Sequence, residues 1–489
     1  MSRFDQQPAP ELIDAAFRFE TEDAPLLHHD LTLCDLAHLL HLNELALIPA
    51  YAAPRLLRLV LELDNDVQIY DPARGDGFTN REAWLTARAP DVAGYYATGR
   101  ARREATTVAF RLRVRRELLG LTRANIALQT ALLDLAAQHV ETVMSDYTYL
   151  QQAHPTTFAH YLLTFVYPLR RDFTRVREAF TLLNQSPAGI GSTNGSRLPL
   201  DRQRLAGLLG FDAVIPHARD AMWQVDAPVQ ALSAAATLLL HLDRLAEDLQ
   251  IFNSTEFGMI ELADEFARAS VIMPHKKNPY SLAFVRGVAN ALLARVTEMY
   301  AIARTPSAQV DNRILAHGAV PRALELATRS VRLVTGVLRT LRVNTERMRR
   351  WVDAGFTQAT DVAELLAAEN GLPYATAHQI VARVVRELMA QNQTARELTV
   401  ALLDAAAREI TGHALQLDAA QLAAALDPMT IVSTRSGLGG AAPIRVREMI
   451  DDCRADLEMQ RAWTDETARR IEDAETHLLE QAKAIATTV

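Results

Sequence analysis

The chain of 489 residues is 49% apolar and 22% charged, with 51 Lys+Arg against 59 Asp+Glu and a formal net charge of −8. Twenty glycines and twenty prolines are too few for a collagenous, low-complexity or disordered chain, and the length is ample for two or three domains. The acidic balance counts against nucleic acid and acidic membrane surfaces as partners, and two cysteines, Cys34 and Cys453, cannot form a disulfide framework.

Taken in chain order, the opening residues carry no apolar leader, and no later stretch approaches the ~18 uncharged apolar residues of a membrane span. A cytoplasmic protein is expected. From Asp30 to Leu63 apolar residues recur at three and four (Leu36, Leu39, Leu40, Leu42, Leu45), the spacing of a helix face. Asp64 to Pro90 is richer in Gly, Asp and Pro and reads as loops around one short helix. Arg102 to Thr142 has no proline and predicts one helix well beyond the ~11-residue mean. Pro228 to Leu249 is apolar all round for its first four turns, and Ser281 to Arg304 is nearly so. Helices with more than one apolar face need protein on every side. A bundle completed by other subunits meets that need, as does a large monomeric core. After Gly355 the helices shorten, with breaks at Gly371-Leu372-Pro373, Asp427-Pro428 and Gly437 to Gly440. The expected class is all-α, divided into 1–105, a long-helix bundle over 106–356, and a small helical unit over 357–489.

The segment Ser270-Val-Ile-Met273-Pro-His-Lys276-Lys-Asn278-Pro279 lies between helical stretches and runs into the helix that starts near Ser281. A helix N-terminus beside two lysines suits a carboxylate. An ordinary basic connector with solvated lysines is the plainer reading of the same residues. The segment resembles the signature loop of the fumarase/aspartase superfamily, Gly-Ser-Ser-x-x-Pro-x-Lys-x-Asn, and most closely that of argininosuccinate lyases. The resemblance runs through nearly the whole chain, at Tyr147 to His160, Ser186 to Gly191, Leu198 to Arg202, Arg244 to Leu249, Ser254 to Gly258, Ala359 to Leu365 and Gly439 to Pro443.

That resemblance implies a three-domain helical fold, a homotetramer whose sites are shared between subunits, and a dicarboxylate substrate. No cofactor and no metal are expected. It implies Ser270 as base, Lys276 as electrostatic stabiliser, and Asn278 and Thr148 as carboxylate ligands. Arg102, Met273 and Arg313 join them as substrate-binding candidates. The chemistry such enzymes perform explains these types: the proton removed is hardly acidic, because its carboxylate must become doubly negative, so fixed positive charge and donors must surround it.

Three departures bear on the substrate. Ala269-Ser270-Val271 replaces Gly-Ser-Ser. Tyr149 stands where the family has histidine, either as a donor or general acid or as a packing residue, and His154 replaces a common glutamine nearby. Gly99-Arg100-Ala101-Arg102-Arg103-Glu104-Ala105 stands for Gly-Arg-Ser-Arg-Asn-Asp-Gln, losing a serine and an asparagine. Arg103 either grips a carboxylate in their place or lies on a solvated helix face. Asp311 to Ala319 stands for Tyr-x-Arg-Asp-x-Gln-x-x-Lys, with Ala316 and Ala319 at the glutamine and lysine positions. A site without those polar partners disfavours the ligand that needed them. The expected activity is therefore a C–N lyase acting on an N-substituted aspartate other than argininosuccinate, in either direction. The alternatives are a different leaving group, such as nitrite or a hydrazine-type nitrogen, and a catalytically silent homologue that binds a partner.

Overall fold

A computed structural model describes residues 7–304 and 313–488. Helix dominates these residues, and the strands among them form four two-stranded pairs. The periodic stretch from Asp30 to Leu63 resolves into two helices, α1 (His28–Glu44) and α2 (Ala52–Leu63). Ala46 turns left-handed between them and Pro49 lacks an amide donor, so one continuous helix is not formed. After loops comes α3 (Gly77–Arg88), whose first turn is capped by Asp76, the carboxylate accepting the Thr79 N–H at 2.9 Å. Leu36, Leu56, Leu57 and Leu85 are fully buried between these helices.

Five long helices form the body of the molecule: α4 (Arg102–Gln138), α5 (Phe158–Leu183), α6 (Asp226–Phe252), α7 (Tyr280–Ile302) and α8 (Ile314–Thr340). They pack against one another through a single core in which Leu118, Leu132, Leu162, Leu238, Leu282 and Leu324 are fully buried. Each such side chain stabilises the bundle by roughly 1.5–3 kcal/mol. The apolar residues of α6 and α7 are more than one chain can cover. Leu240 on α6, and Phe284, Leu293 and Tyr300 on α7, remain exposed.

Between α4 and α5 the chain makes an antiparallel hairpin of β1 (Val143–Thr148) and β2 (Gln151–Thr157), an element that the helical reading did not anticipate. Beyond the bundle, α9 (Ala359–Asn370), α10 (Tyr374–Ala390) and α11 (Val400–Thr411) enclose a small core of their own around Val362, Ile380 and Leu403. The left-handed Gly371 ends α9 at the expected break. The expectation that helices stay short to the end of the chain fails. The last, α12 (Pro443–Ala486), has 44 residues. Its Val446, Ile450, Cys453 and Leu457 join the bundle core, while Leu478, Ala482 and Ala486 pack with the N-terminal helices. The unit read over 357–489 thus returns its final helix to the rest of the molecule. Its apolar stripe, broken by charges on every turn, hides that length from a reading of composition. Among the described residues no helix is long and apolar enough to cross a membrane.

Candidate active site

Three segments carry the candidate residues, and each is held differently. The first is Gly99 to Ala105, entering α4. Gly99 has φ +71°, and a Cβ there would lie 2.7 Å from Leu198 Cδ1, so glycine lets this turn close against the following loop. Arg100 is buried and donates to Asp35 Oδ1 at 2.8 Å, while Arg81 and the Tyr96 hydroxyl donate to Oδ2 at 2.8 and 2.9 Å. One buried carboxylate thus anchors two guanidinium groups and fixes the turn against α1 and α3. Arg102 is half-exposed and lies 3.5 Å from Asp76. Arg103 is neither solvated nor left to a ligand alone. Its side chain is only 12% exposed, and it donates to Glu20 at 2.7 and 3.3 Å.

The same neighbourhood receives the start of α8. Arg313 donates to Thr107 Oγ1 at 3.1 Å and to the Gln224 carbonyl at 3.4 Å. Asp311 and Asn312, which precede it in the motif, lie outside the described residues. Ala316 is buried beside His317, whose ring sits 5.3 Å from that of Phe110. Burial, helped by Arg313 and Arg103, pushes the His317 imidazole down to about 3, so it is neutral at physiological pH. Glu20, Asp76 and His317 were not singled out from the sequence. Their signal is long-range pairing, which residue spacing does not carry.

The second segment is the hairpin tip. Thr148 pairs with Gln151, and the two residues between them, Tyr149 and Leu150, have φ +54° and +58°. Those angles belong to a type I′ turn, normally filled by Asn or Gly. Tyr149 is 98% exposed, so within one chain it packs on nothing. Thr148 and His154 are also exposed.

The third segment is the signature loop. The strands β3 (Arg268–Ala269) and β4 (Lys277–Asn278) pair antiparallel and make its neck. The Ser270 hydroxyl accepts the Met273 N–H at 3.1 Å, and the Ser270 N–H donates to the Lys276 carbonyl at 3.3 Å. The Asn278 amide donates to the Arg268 carbonyl at 3.0 Å and stiffens the neck. Lys277 is held by Glu261 at 3.0 Å and Asp264 at 2.7 Å, whose side chains keep its ammonium above the usual lysine range. Lys276 is exposed and makes no ion pair among the described residues. Of the two lysines, the acidic stretch takes one and leaves the other. Val271 and Ile272 project almost fully into solvent.

Helix lengths decide which segments can meet. The helix α4 has 37 residues and spans roughly 55 Å, with Arg102 and Arg103 at one end and the hairpin just past the other. A six-residue strand recovers at most ~20 Å of that separation. The loop precedes α7, whose 23 residues span roughly 35 Å, and Met299 near the far end of that helix lines a small cavity together with Arg313. Hence Arg102, Arg103 and Arg313 share one end of the bundle, and neither Thr148 nor Ser270 of the same chain reaches them. Ser270, Met273, Lys276 and Asn278 lie together on the loop, and Thr148 with Tyr149 on the hairpin tip, both away from the arginines.

Comparison with known proteins agrees with this architecture. A lyase family model matches residues 77–293, and an argininosuccinate lyase C-terminal model matches 356–433. The chain is 34% identical to the argininosuccinate lyase of Methanoculleus marisnigri over 465 residues, 93% of this chain and 92% of the relative. It is also 34% identical to that of Geobacillus thermodenitrificans over 425 residues, 84% of this chain and 89% of the relative. Among solved structures, EDDS lyase in complex with formate and an EDDS lyase variant with bound fumarate each superpose with a TM-score of 0.87 at 29% identity, covering 100% of this chain and 98% of theirs.

Proposed function

Because the chain belongs to the argininosuccinate lyase family of the fumarase/aspartase superfamily and is a carbon–nitrogen lyase, we propose that it eliminates an amine from an N-substituted aspartate to give fumarate, or runs the addition in reverse. The observation that carries this reading is the signature loop: a half-buried Ser270 and an exposed Lys276 share one hairpin with a paired neck at the foot of α7. Ser270, as alkoxide, takes the proton from the carbon beside a carboxylate. Lys276 and the N-terminus of α7 stabilise the doubly negative intermediate, and Asn278 and Thr148 hold its oxygens. The C–N bond then breaks, and the Tyr149 hydroxyl, on its exposed turn, protonates the leaving nitrogen. Arg102 and Arg313, at the far end of the bundle, meet this chemistry only from another copy. The separation of the arginine-bearing turn from the hairpin tip and the loop supports a homotetramer with shared sites, as do the exposed Phe284, Leu293 and Tyr300.

A fumarate-bound relative supports a dicarboxylate as one product. The amine is not the arginine of argininosuccinate, because Ala316 and Ala319 offer no hydrogen bond where that family places glutamine and lysine. A smaller or less polar amine fits better. Incubating the purified protein with fumarate and a panel of amines, with mass-spectrometric detection of succinylated adducts, tests this directly. An adduct formed by the wild type and not by Ser270→Ala is expected. Adducts with arginine alone would overturn the substrate reading, and adducts undiminished in the variant would overturn the base assignment.

A further inference from the structure

Glu104 sits in the first turn of α4, one residue after Arg103, and nothing in the reaction above employs it. It is 1% exposed, and its Oε1 accepts the Gly189 N–H at 2.7 Å. Gly189 has φ +78°, and a Cβ there would lie 2.9 Å from Leu205 Cδ1. Only glycine lets the loop backbone approach the carboxylate this way. Two residues further on, the Gly191 carbonyl accepts the Ala101 N–H at 2.8 Å. The first turn of α4 is therefore pinned to the loop after Ser186 from both sides.

The charged and titratable groups facing Glu104 are Arg100, from the turn before it, Arg202, from the start of the short helix Arg202–Leu208 that follows the loop, and Cys34, from α1. Arg100 donates to Asp35 at 2.8 Å, and Arg202 donates to the carbonyls of Ala188, Ile215 and Pro216 at 3.2, 2.7 and 3.2 Å. Burial pushes the Glu104 carboxyl up to about 7, against the Gly189 amide, Arg100, the Gly191 amide and Arg202, which favour its charged form.

We propose that Glu104 is a positioning residue that holds the arginine-bearing first turn of α4 on its loop, and that its charge state sets how tightly this turn takes the substrate's carboxylates. The proposal rests on the reading that Arg102 meets the dicarboxylate. A neutral Glu104 leaves the positive end of α4 to the substrate dianion. A charged Glu104 places one negative charge within a turn of Arg102, where it opposes that dianion in a water-poor site.

Isothermal titration of fumarate into the intact oligomer, from pH about 6 to about 8.5, tests this. The wild-type Kd rises with pH on the order of fivefold across neutrality, beyond any general trend in the variant. Glu104→Gln keeps an acceptor for the Gly189 N–H and holds the Kd near its acidic-limb value throughout. A Glu104→Gln profile that superimposes on the wild type overturns the proposal alone. Absence of fumarate binding by the wild type at every pH overturns the underlying reading and the proposal with it. Should Glu104→Gln fold poorly, the wild type still decides. Binding heats near pH 7 in buffers of different ionisation enthalpy report proton uptake on binding, and zero uptake overturns the proposal.

Discussion

The turn at Gly99 to Ala105 and the tip at Thr148 to Leu150 are both assigned to the same kind of site, yet one chain treats them in opposite ways. The turn is tied down by buried groups, its Arg100 locked on Asp35 and its Arg103 on Glu20. The tip holds two left-handed residues in solvent, and the signature loop likewise turns Val271, Ile272 and Lys276 outward beside a half-buried Ser270. A turn built entirely by its own chain must survive in an isolated subunit. A tip with no partner in its own chain is conformationally costly and is retained where something outside the chain uses it. The difference separates groups whose loss breaks the fold from groups whose loss breaks only the reaction.

Substitutions sharpen that separation, beginning with the largest effect. Ser270→Ala is expected to cut turnover by about 10⁴-fold, roughly 5.4 kcal/mol, with an unchanged melting temperature in calorimetry. Loss of melting temperature together with activity would show the loop to be structural instead. Arg100→Ala should do the reverse. Removing one partner of a buried pair leaves Asp35 short of a donor and costs about 3–5 kcal/mol of stability in denaturant titration. A loss of activity without a loss of stability there would break the comparison.

What the sequence alone made legible follows the same line. The long helices read correctly because Ala- and Leu-rich stretches such as Pro228 to Leu249 admit little else, and the loop around Ser270 stands out because its residue types and order are unusual together. The hairpin did not read as strand, since Thr148 to His154 lacks strict alternation and its turn residues are Tyr and Leu in place of Asn and Gly. Nor did the length of α12 show, because its burial is set by partners on five different helices and not by its own spacing. Arg103 read ambiguously because Glu20, 83 positions away, decides where its guanidinium goes. Long-range pairs of this kind are written in the fold and not in any local window.

Smaller effects probe the exposed side further. Tyr149→Gly relieves a left-handed backbone and should raise stability by about 1 kcal/mol while lowering turnover at least tenfold. Tyr149→Phe keeps the strain and removes only the hydroxyl. If the hydroxyl protonates the leaving nitrogen, Phe and Gly lose similar activity. If the ring merely fills space against a partner copy, Phe retains it.

The smallest expected effect lies where α1, α2 and α12 meet. His29 bridges Asp64 and Glu475, each at 3.0 Å, and hydrogen bonds to these two carboxylates push its imidazole up to about 10. A group raised this way stabilises the folded protein fully below its ordinary value of ~6.5 and loses that contribution as pH climbs toward 10. The His29 side chain is 42% exposed, so solvent screening holds the gain to below about 1 kcal/mol. Melting temperatures of the wild type and His29→Gln should therefore differ most near pH 6.5 and converge toward pH 10. A difference that grows with pH would mean that the imidazole is buried neutral, and that α12 is held to the N-terminal helices by packing of Leu478 and Ala482 without the ionic bridge.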